Sequence, residues 1–149
     1  MRTDATNDDF PAAWEDFFRA VRRAKGRASA QPPADGLSLA QYQLLTPLAH
    51  QPAQTIRALA DAAGVAAPTA TRMLDGLERG GYVTRATDAN DRRCVVVDLT
   101  ADGRRALEVT GRALTTNRRR ISASLSPEDR AQAARLLRRL ADVVEEQLP

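Results

Sequence analysis

The sequence predicts a mostly α-helical chain carrying one small β-hairpin, an α+β arrangement. Three observations predict it. Alanine-rich stretches with apolar residues at helical spacing fill most of the 149 residues, and alanine is the best helix former. One segment, "YVTRATDANDRRCVVVDL", breaks that period with two β-branched runs around a turn rich in Asp and Asn. Finally, Ser38, Thr55, Thr100 and Ser126 each stand just before a helical run, where a side-chain oxygen can take a free backbone N–H.

The elements follow in order. Residues 1–8 are polar, without the apolar stretch of a signal peptide, and read as a disordered tail. A first helix runs from Asp9 to about Arg27, with Pro11 in its first turn and Phe10, Trp14, Phe17, Phe18 and Val21 at helical spacing. "ASAQPPADG" then reads as a loop. The second helix starts at Ser38, where Gln41 completes a capping box and Leu37 can staple onto Tyr42. It runs to about His50, and Pro47 inside it predicts a kink or an early end. Thr55 caps a short third helix that Gly64 stops. A fourth helix spans about Ala67 to Gly80. In the returning strand, Val95, Val97 and Leu99 alternate with Val96 and Asp98, which predicts one face against the body. Thr100 caps a long fifth helix reaching to about Ser124, with Leu107, Leu114 and Ile121 spaced as a seam. Ser126 and Pro127 open a sixth, whose stripe is Ala133, Leu136, Leu137, Leu140, Val143, Val144 and Leu148.

Composition narrows the function. The chain is 43% hydrophobic, 28% charged and only 4% aromatic, so its core is built of Leu, Val and Ala. The net charge is +3, and Lys25 is the only lysine among the basic residues. Arginine suits phosphates and narrow grooves, because its planar fork binds bidentately and is weakly hydrated. Cys94 is the only cysteine, which excludes an intrachain disulfide. No apolar run reaches 18 residues, so no membrane helix is expected and the chain reads as cytoplasmic. With one histidine (His50), one cysteine and no glycine-rich phosphate loop, the sequence offers no catalytic set, no metal site and no cofactor motif.

Helix, turn, helix and hairpin is the order of a winged helix-turn-helix. The fourth helix, "APTATRMLDGLERGG", is the candidate recognition helix. Ala70, Met73, Leu74 and Leu77 cluster on one side. Pro68, Arg72, Asp75 and Arg79 take the other, flanked by Thr69, Thr71 and Gly76. The outward N-terminal part of such a helix meets base edges in the major groove. The hairpin tip adds Arg92 and Arg93, and a protruding arginine is a good probe of a narrow minor groove. Asp91 beside them is expected to orient one guanidinium while the other reaches DNA. The expected DNA-binding set is therefore Pro68, Thr69, Thr71, Arg72, Arg79, Asp91, Arg92 and Arg93. A winged-helix module that docks on protein is the alternative, and the outward arginines and threonines speak against it.

"DRRCVVVDLTADG" resembles the wing signature of the MarR (multiple-antibiotic-resistance regulator) family: D-x-R, a hydrophobic strand, L-T and a glycine three residues on. "IRALADAAGVAAPTATRMLDGLERGGYVTR" resembles that family's helix-turn-helix. The resemblance covers residues 37–103. It implies a homodimeric repressor with a tail and dimerisation helix (1–36), a winged DNA-binding domain (37–100) and C-terminal dimerisation helices (101–149). The implied interface residues are Trp14, Phe17, Leu114, Ile121, Leu136, Leu140 and Val144. The fifth and sixth helices independently carry more apolar surface than a small winged domain needs. The implied partners are pseudo-palindromic double-stranded DNA and a small phenolic or aromatic acid. Trp14, Phe18, Tyr42 and Leu45 would wall the pocket for that acid, and Arg22 or Arg23 would pair with its carboxylate. Some relatives sense peroxide through a cysteine, which makes Cys94 a redox alternative. Neighbouring Arg92 and Arg93 are expected to favour its thiolate. The sequence departs from the family pattern at Ala66, where a serine cap is usual, at Gly76 and at Pro47.

Overall fold

The computed structural model describes residues 9–147, so the expectations for residues 1–8 and for Leu148 lie outside it. Six helices and three short strands follow in the order α1 (Asp9–Ala30), α2 (Leu39–His50), β1 (Gln54–Thr55), α3 (Ile56–Ala63), α4 (Ala67–Arg79), β2 (Val83–Thr87), β3 (Val95–Leu99), α5 (Ala101–Ala123) and α6 (Pro127–Gln147). The chain divides into two compact units, Met1–Gly111 and Arg112–Pro149, and the division falls inside α5.

Helix starts obey the capping chemistry. The Ser38 hydroxyl accepts the Gln41 N–H at 3.2 Å and the Gln41 side chain accepts the Ser38 N–H at 2.9 Å, a closed capping box. Thr55 accepts from Ala58 N–H, Thr100 from Gly103 N–H and Ser126 from Asp129 N–H. Gly64 ends α3 at φ 64°, a left-handed position that costs glycine little. Two expectations need correction. α1 runs one turn beyond Arg27, so Ala28–Ala30 of the supposed loop are helical. α2 runs through Pro47 to His50, the end expected, so of the two outcomes expected at the proline the early end is excluded. The proline removes the N–H that would have reached Gln43, and Thr46 adds a bond of its own by donating to the Tyr42 carbonyl at 2.7 Å.

The sheet has three antiparallel strands, ordered β1-β3-β2. The sequence reading missed β1, whose two residues carry no strand signal. They pair Gln54 with Val97 and Thr55 with Val96. This extra strand explains a further correction. Val96 is buried and Val95 is 48% exposed, the reverse of the expected alternation at those two positions, while Val97 and Leu99 are buried as predicted. β1 adds cover over Val96, whereas Val95 lies opposite Thr87 at the open end of the hairpin.

The core of the first unit is one cluster: Leu37, Leu44, Leu45 and Leu48 from the α2 region, Leu59 from α3, Ala70, Leu74 and Leu77 from α4, Val83, Val97 and Leu99 from the sheet, and Ala106 and Leu107 from α5. Thr110 is its only buried polar side chain among the described residues. Its hydroxyl accepts the Leu37 N–H at 2.8 Å and donates to the Ala106 carbonyl at 3.0 Å, so no polar group there is left unpaired. Gly103 is set by close approach. A Cβ there would collide with the backbone carbonyl of Tyr82, just before β2, so only glycine lets α5 pass this close.

In the second unit, no described residue of α6 is buried. Leu136, Leu137, Val143 and Val144 are exposed, as is Ile121 at the end of α5.

Candidate nucleic-acid interface

The expected recognition helix is α4, and its two sides divide as the sequence predicts. Ala70, Leu74 and Leu77 are buried with Met73 packed on them, while Pro68, Arg72 and Arg79 are exposed. Thr69 and Thr71 are half-buried at the margin. Thr71 spends its hydroxyl proton on the Ala67 carbonyl at 2.9 Å and keeps only acceptor capacity. Ala66 occupies the cap position and makes no side-chain bond, so this helix starts on Pro68 in its first turn alone. Pro68 carries no N–H, and the Thr69 and Ala70 N–H groups donate to the Ala66 carbonyl at 2.9 and 3.0 Å, so what this helix end offers a phosphate oxygen is chiefly the positive end of its dipole.

The hairpin tip is built by two aspartates. Asp88 Oδ1 accepts the Asn90 N–H at 2.6 Å and the Asp91 N–H at 3.4 Å. Asp91 Oδ1 accepts the Arg93 N–H at 3.0 Å, and its Oδ2 lies 3.5 Å from the Cys94 thiol that donates to it. Across the base, the Asp88 N–H donates to the Cys94 carbonyl at 2.9 Å. These side-chain-to-backbone bonds fold the turn, which is why acids and Asn sit there. Asp91 therefore does not orient a guanidinium as expected. Among the described residues neither Arg92 nor Arg93 makes an ion pair, and both side chains are exposed at the tip.

The Cys94 expectation reverses for the same reason. The Asp91 hydrogen bond, the Asp91 charge, burial and the Asp88 charge push the thiol above its ordinary range, in that order of weight. The carboxylates, not the neighbouring arginines, set the direction of the shift, away from the lowered thiol range expected from the sequence.

Helix and hairpin are tied together by a residue the sequence reading passed over. Arg85 on β2 bonds Asp75 Oδ1 at 2.7 Å and reaches Glu78 Oε2 at 3.3 Å, both on α4. Its guanidinium Nε is buried without a partner. The signal was present: Arg85 shares a strand face with buried Val83, and an arginine on an inward face needs an acid opposite. Asp75, expected on the free outer side, is consumed by this pair.

The expected effector pocket is only partly assembled. Trp14 stacks on Phe18 with ring centroids 4.6 Å apart, and both are half-buried, as is Tyr42. Arg22 is exposed. Leu45 is fully buried in the core cluster and is no accessible wall, because the capping box at Ser38 sets the α2 phase that turns it inward. A separate open cavity of about 460 Å³ lies between Asp35, Gly80, Tyr82, Asp102, Arg105, Ala106 and Val109. Of the expected interface residues, Phe17, Ile121, Leu136 and Val144 are exposed, and Trp14, Leu114 and Leu140 are half-buried. No helix among the described residues is long and apolar enough to cross a membrane, and they contain no cluster of metal-ligating side chains.

Comparison with known proteins gives this geometry its family. The family model described as MarR family matches residues 37–95. An HTH-type transcriptional regulator of Mycobacterium bovis is 34% identical over 98 residues, covering 66% of this chain and 68% of its own. The transcriptional repressor CouR, solved bound to a 23-mer DNA duplex, is similar with a TM-score of 0.70 and 25% identity, over 92% of this chain and 99% of that one. The PcaV transcriptional regulator of Streptomyces coelicolor, solved with its natural ligand, shares the fold at a TM-score of 0.68 and 21% identity, over 93% and 97% of the two chains. The capped α3-turn-α4 unit, the aspartate-built arginine wing and these likenesses together place the chain in the MarR family of winged helix-turn-helix transcriptional regulators, which are not enzymes.

Proposed function

We propose that the chain is a homodimeric, sequence-specific reader of double-stranded DNA that represses transcription and is released by a small aromatic or phenolic acid. One observation carries the DNA-reading part. The exposed Arg72 and Arg79 of α4 and the exposed, unpaired Arg92 and Arg93 of the wing belong to two elements bound to each other through Arg85 and Asp75 at 2.7 Å. In this reading α4 enters the major groove with Pro68, Thr69, Thr71 and Arg72 near base edges, and the wing probes the flanking minor groove. The likeness to the DNA-bound repressor CouR supports it.

Dimerisation is supported by the second unit, where Leu136, Leu137, Val143 and Val144 stay exposed on a stripe that a lone chain leaves in water. A twofold dimer reads a pseudo-palindrome with half-sites about one helical turn, roughly 10 bp, apart. Release by an effector is supported by the ligand complex of PcaV and by the Trp14, Phe18 and Tyr42 rings with Arg22 nearby in sequence on α1.

The test is selection of binding sites from a random duplex pool at near-physiological salt, followed by competition with hydroxybenzoates. Enrichment of a short inverted repeat supports the reading, and loss of that complex on adding the acid supports the release mechanism. A pool that never enriches overturns DNA reading. An enriched site that no aromatic acid displaces overturns only the effector class.

A further inference from the structure

We propose that Arg85 is a positioning residue for DNA reading: by forking onto Asp75 and Glu78 it locks the wing to the recognition helix and neutralises two carboxylates on the face that approaches phosphate. The inference rests on the DNA-reading proposal and deepens it. Three observations carry it. The guanidinium spans two residues three apart on one helix, so its two contacts, at 2.7 Å and 3.3 Å, fix both the distance and the rotation between β2 and α4. Arg85 is the more buried partner at 23% side-chain exposure, against 42% and 41% for the acids, so the acids keep part of their surface in water while the guanidinium is enclosed between β2 and α4. Finally, Nε is buried with no partner. Its orientation follows the two acids on α4 rather than its own full complement of bonds, as expected of a joint selected for geometry.

The joint makes a prediction whose sign runs against simple electrostatics. Removing a negative charge from a DNA-facing helix strengthens phosphate binding if charge alone matters. If Asp75 holds the wing through Arg85, Asp75→Asn weakens binding instead, because a neutral amide no longer anchors the guanidinium.

The experiment measures affinity for the selected duplex, backbone protection along it, and hydrogen exchange of the β2 amides in free protein. The full-length chain carries Asp75→Asn, Arg85→Gln, both together, or Arg85→Lys. Expected are losses of about tenfold or more for each single change, the equivalent of ~1.4 kcal/mol. Protection is lost at the flanks that the wing touches and kept at the centre, and β2 exchange is faster. The double variant is no worse than either single, since both break one interaction. Arg85→Lys recovers part of the affinity, because lysine keeps the charge but cannot fork. Asp75→Asn that binds equally or more tightly overturns the proposal. So does a uniform loss of protection that tracks lost thermal stability. If the native chain protects no duplex, the DNA reading fails. The exchange data then decide the joint alone: unchanged β2 exchange in both single variants overturns it.

Discussion

Residues 37–111 and residues 112–147 use the same side chains to opposite ends. Both carry leucines and valines at helical spacing. In the first segment the stripes of α2, α3 and α4 converge, and Leu44, Leu45, Leu59 and Leu74 reach zero exposure. In the second the stripe of α6 converges on nothing within its own unit, and Leu136 and Leu137 remain more than half exposed. The contrast teaches that an apolar stripe states a need for a partner without saying where that partner is. The winged segment meets the need within the chain. The C-terminal one, at about 25 cal/mol per Å² of apolar surface left in water, meets it by association in the reading proposed above.

Substitutions can break that contrast. The largest effect is expected where the first segment has no room. Gly103→Ala forces a Cβ against the Tyr82 carbonyl, a backbone atom that cannot swing aside, so strand or helix must move. A loss of about 3 kcal/mol, the upper range of overpacking, is expected in urea unfolding. A midpoint unchanged within error would show that α5 does not pass the strand this closely. The next effect belongs to the second segment. Leu140 is not a member of the winged core cluster, yet Leu140→Glu is expected to weaken self-association by ~2 kcal/mol or more, as central apolar interface residues do. Sedimentation should then show a smaller species than the native chain, if the proposed dimer rests on α6. A variant that sediments like the native protein removes α6 from the interface.

A smaller effect separates surface from core inside the first segment. Arg92 is exposed and unpaired among the described residues, so Arg92→Ala should leave the unfolding midpoint unchanged. Duplex affinity should fall by about 1–2 kcal/mol, and the salt slope should flatten by about one charge. Loss of stability without loss of affinity would reverse the roles assigned to wing and core.

How much of this was legible in the sequence depends on the range of the forces involved. Caps are local, and Ser38, Thr55, Thr100 and Ser126 were read correctly because donor and acceptor lie three residues apart. The buried side of α4 was legible from periodicity. The strand β1 was not, since Gln54 and Thr55 acquire strand geometry only by pairing with a segment some forty residues on. Thr110 was missed for the same reason: it is an ordinary polar residue until the fold brings Leu37 against it. For Arg85 the inward strand face was readable from Val83, but not which acids, Asp75 and Glu78, would meet it. At the wing tip, charge counting along the chain put Cys94 beside two arginines. The turn instead directs it at Asp91, and direction decides the sign.

That sign gives the smallest effect. With its pKa raised by the Asp91 carboxylate, the Cys94 thiol carries less thiolate at any pH than the same cysteine in the unfolded chain. Its alkylation should be slow near neutrality, and the rise of rate with pH should be displaced upward from that of urea-unfolded protein. Asp91→Asn preserves a carbonyl oxygen for the Arg93 N–H, so the turn survives, but removes the charge and offers the sulfur a donor instead of an acceptor. The titration should then move down toward the ordinary thiol range and alkylation at pH 8 should quicken by a few-fold, with duplex affinity the control that the tip is intact. A native rate profile already displaced below that of the unfolded chain would mean that Arg92 and Arg93 govern the sulfur after all, and would restore the thiolate on which an oxidation-sensing wing depends.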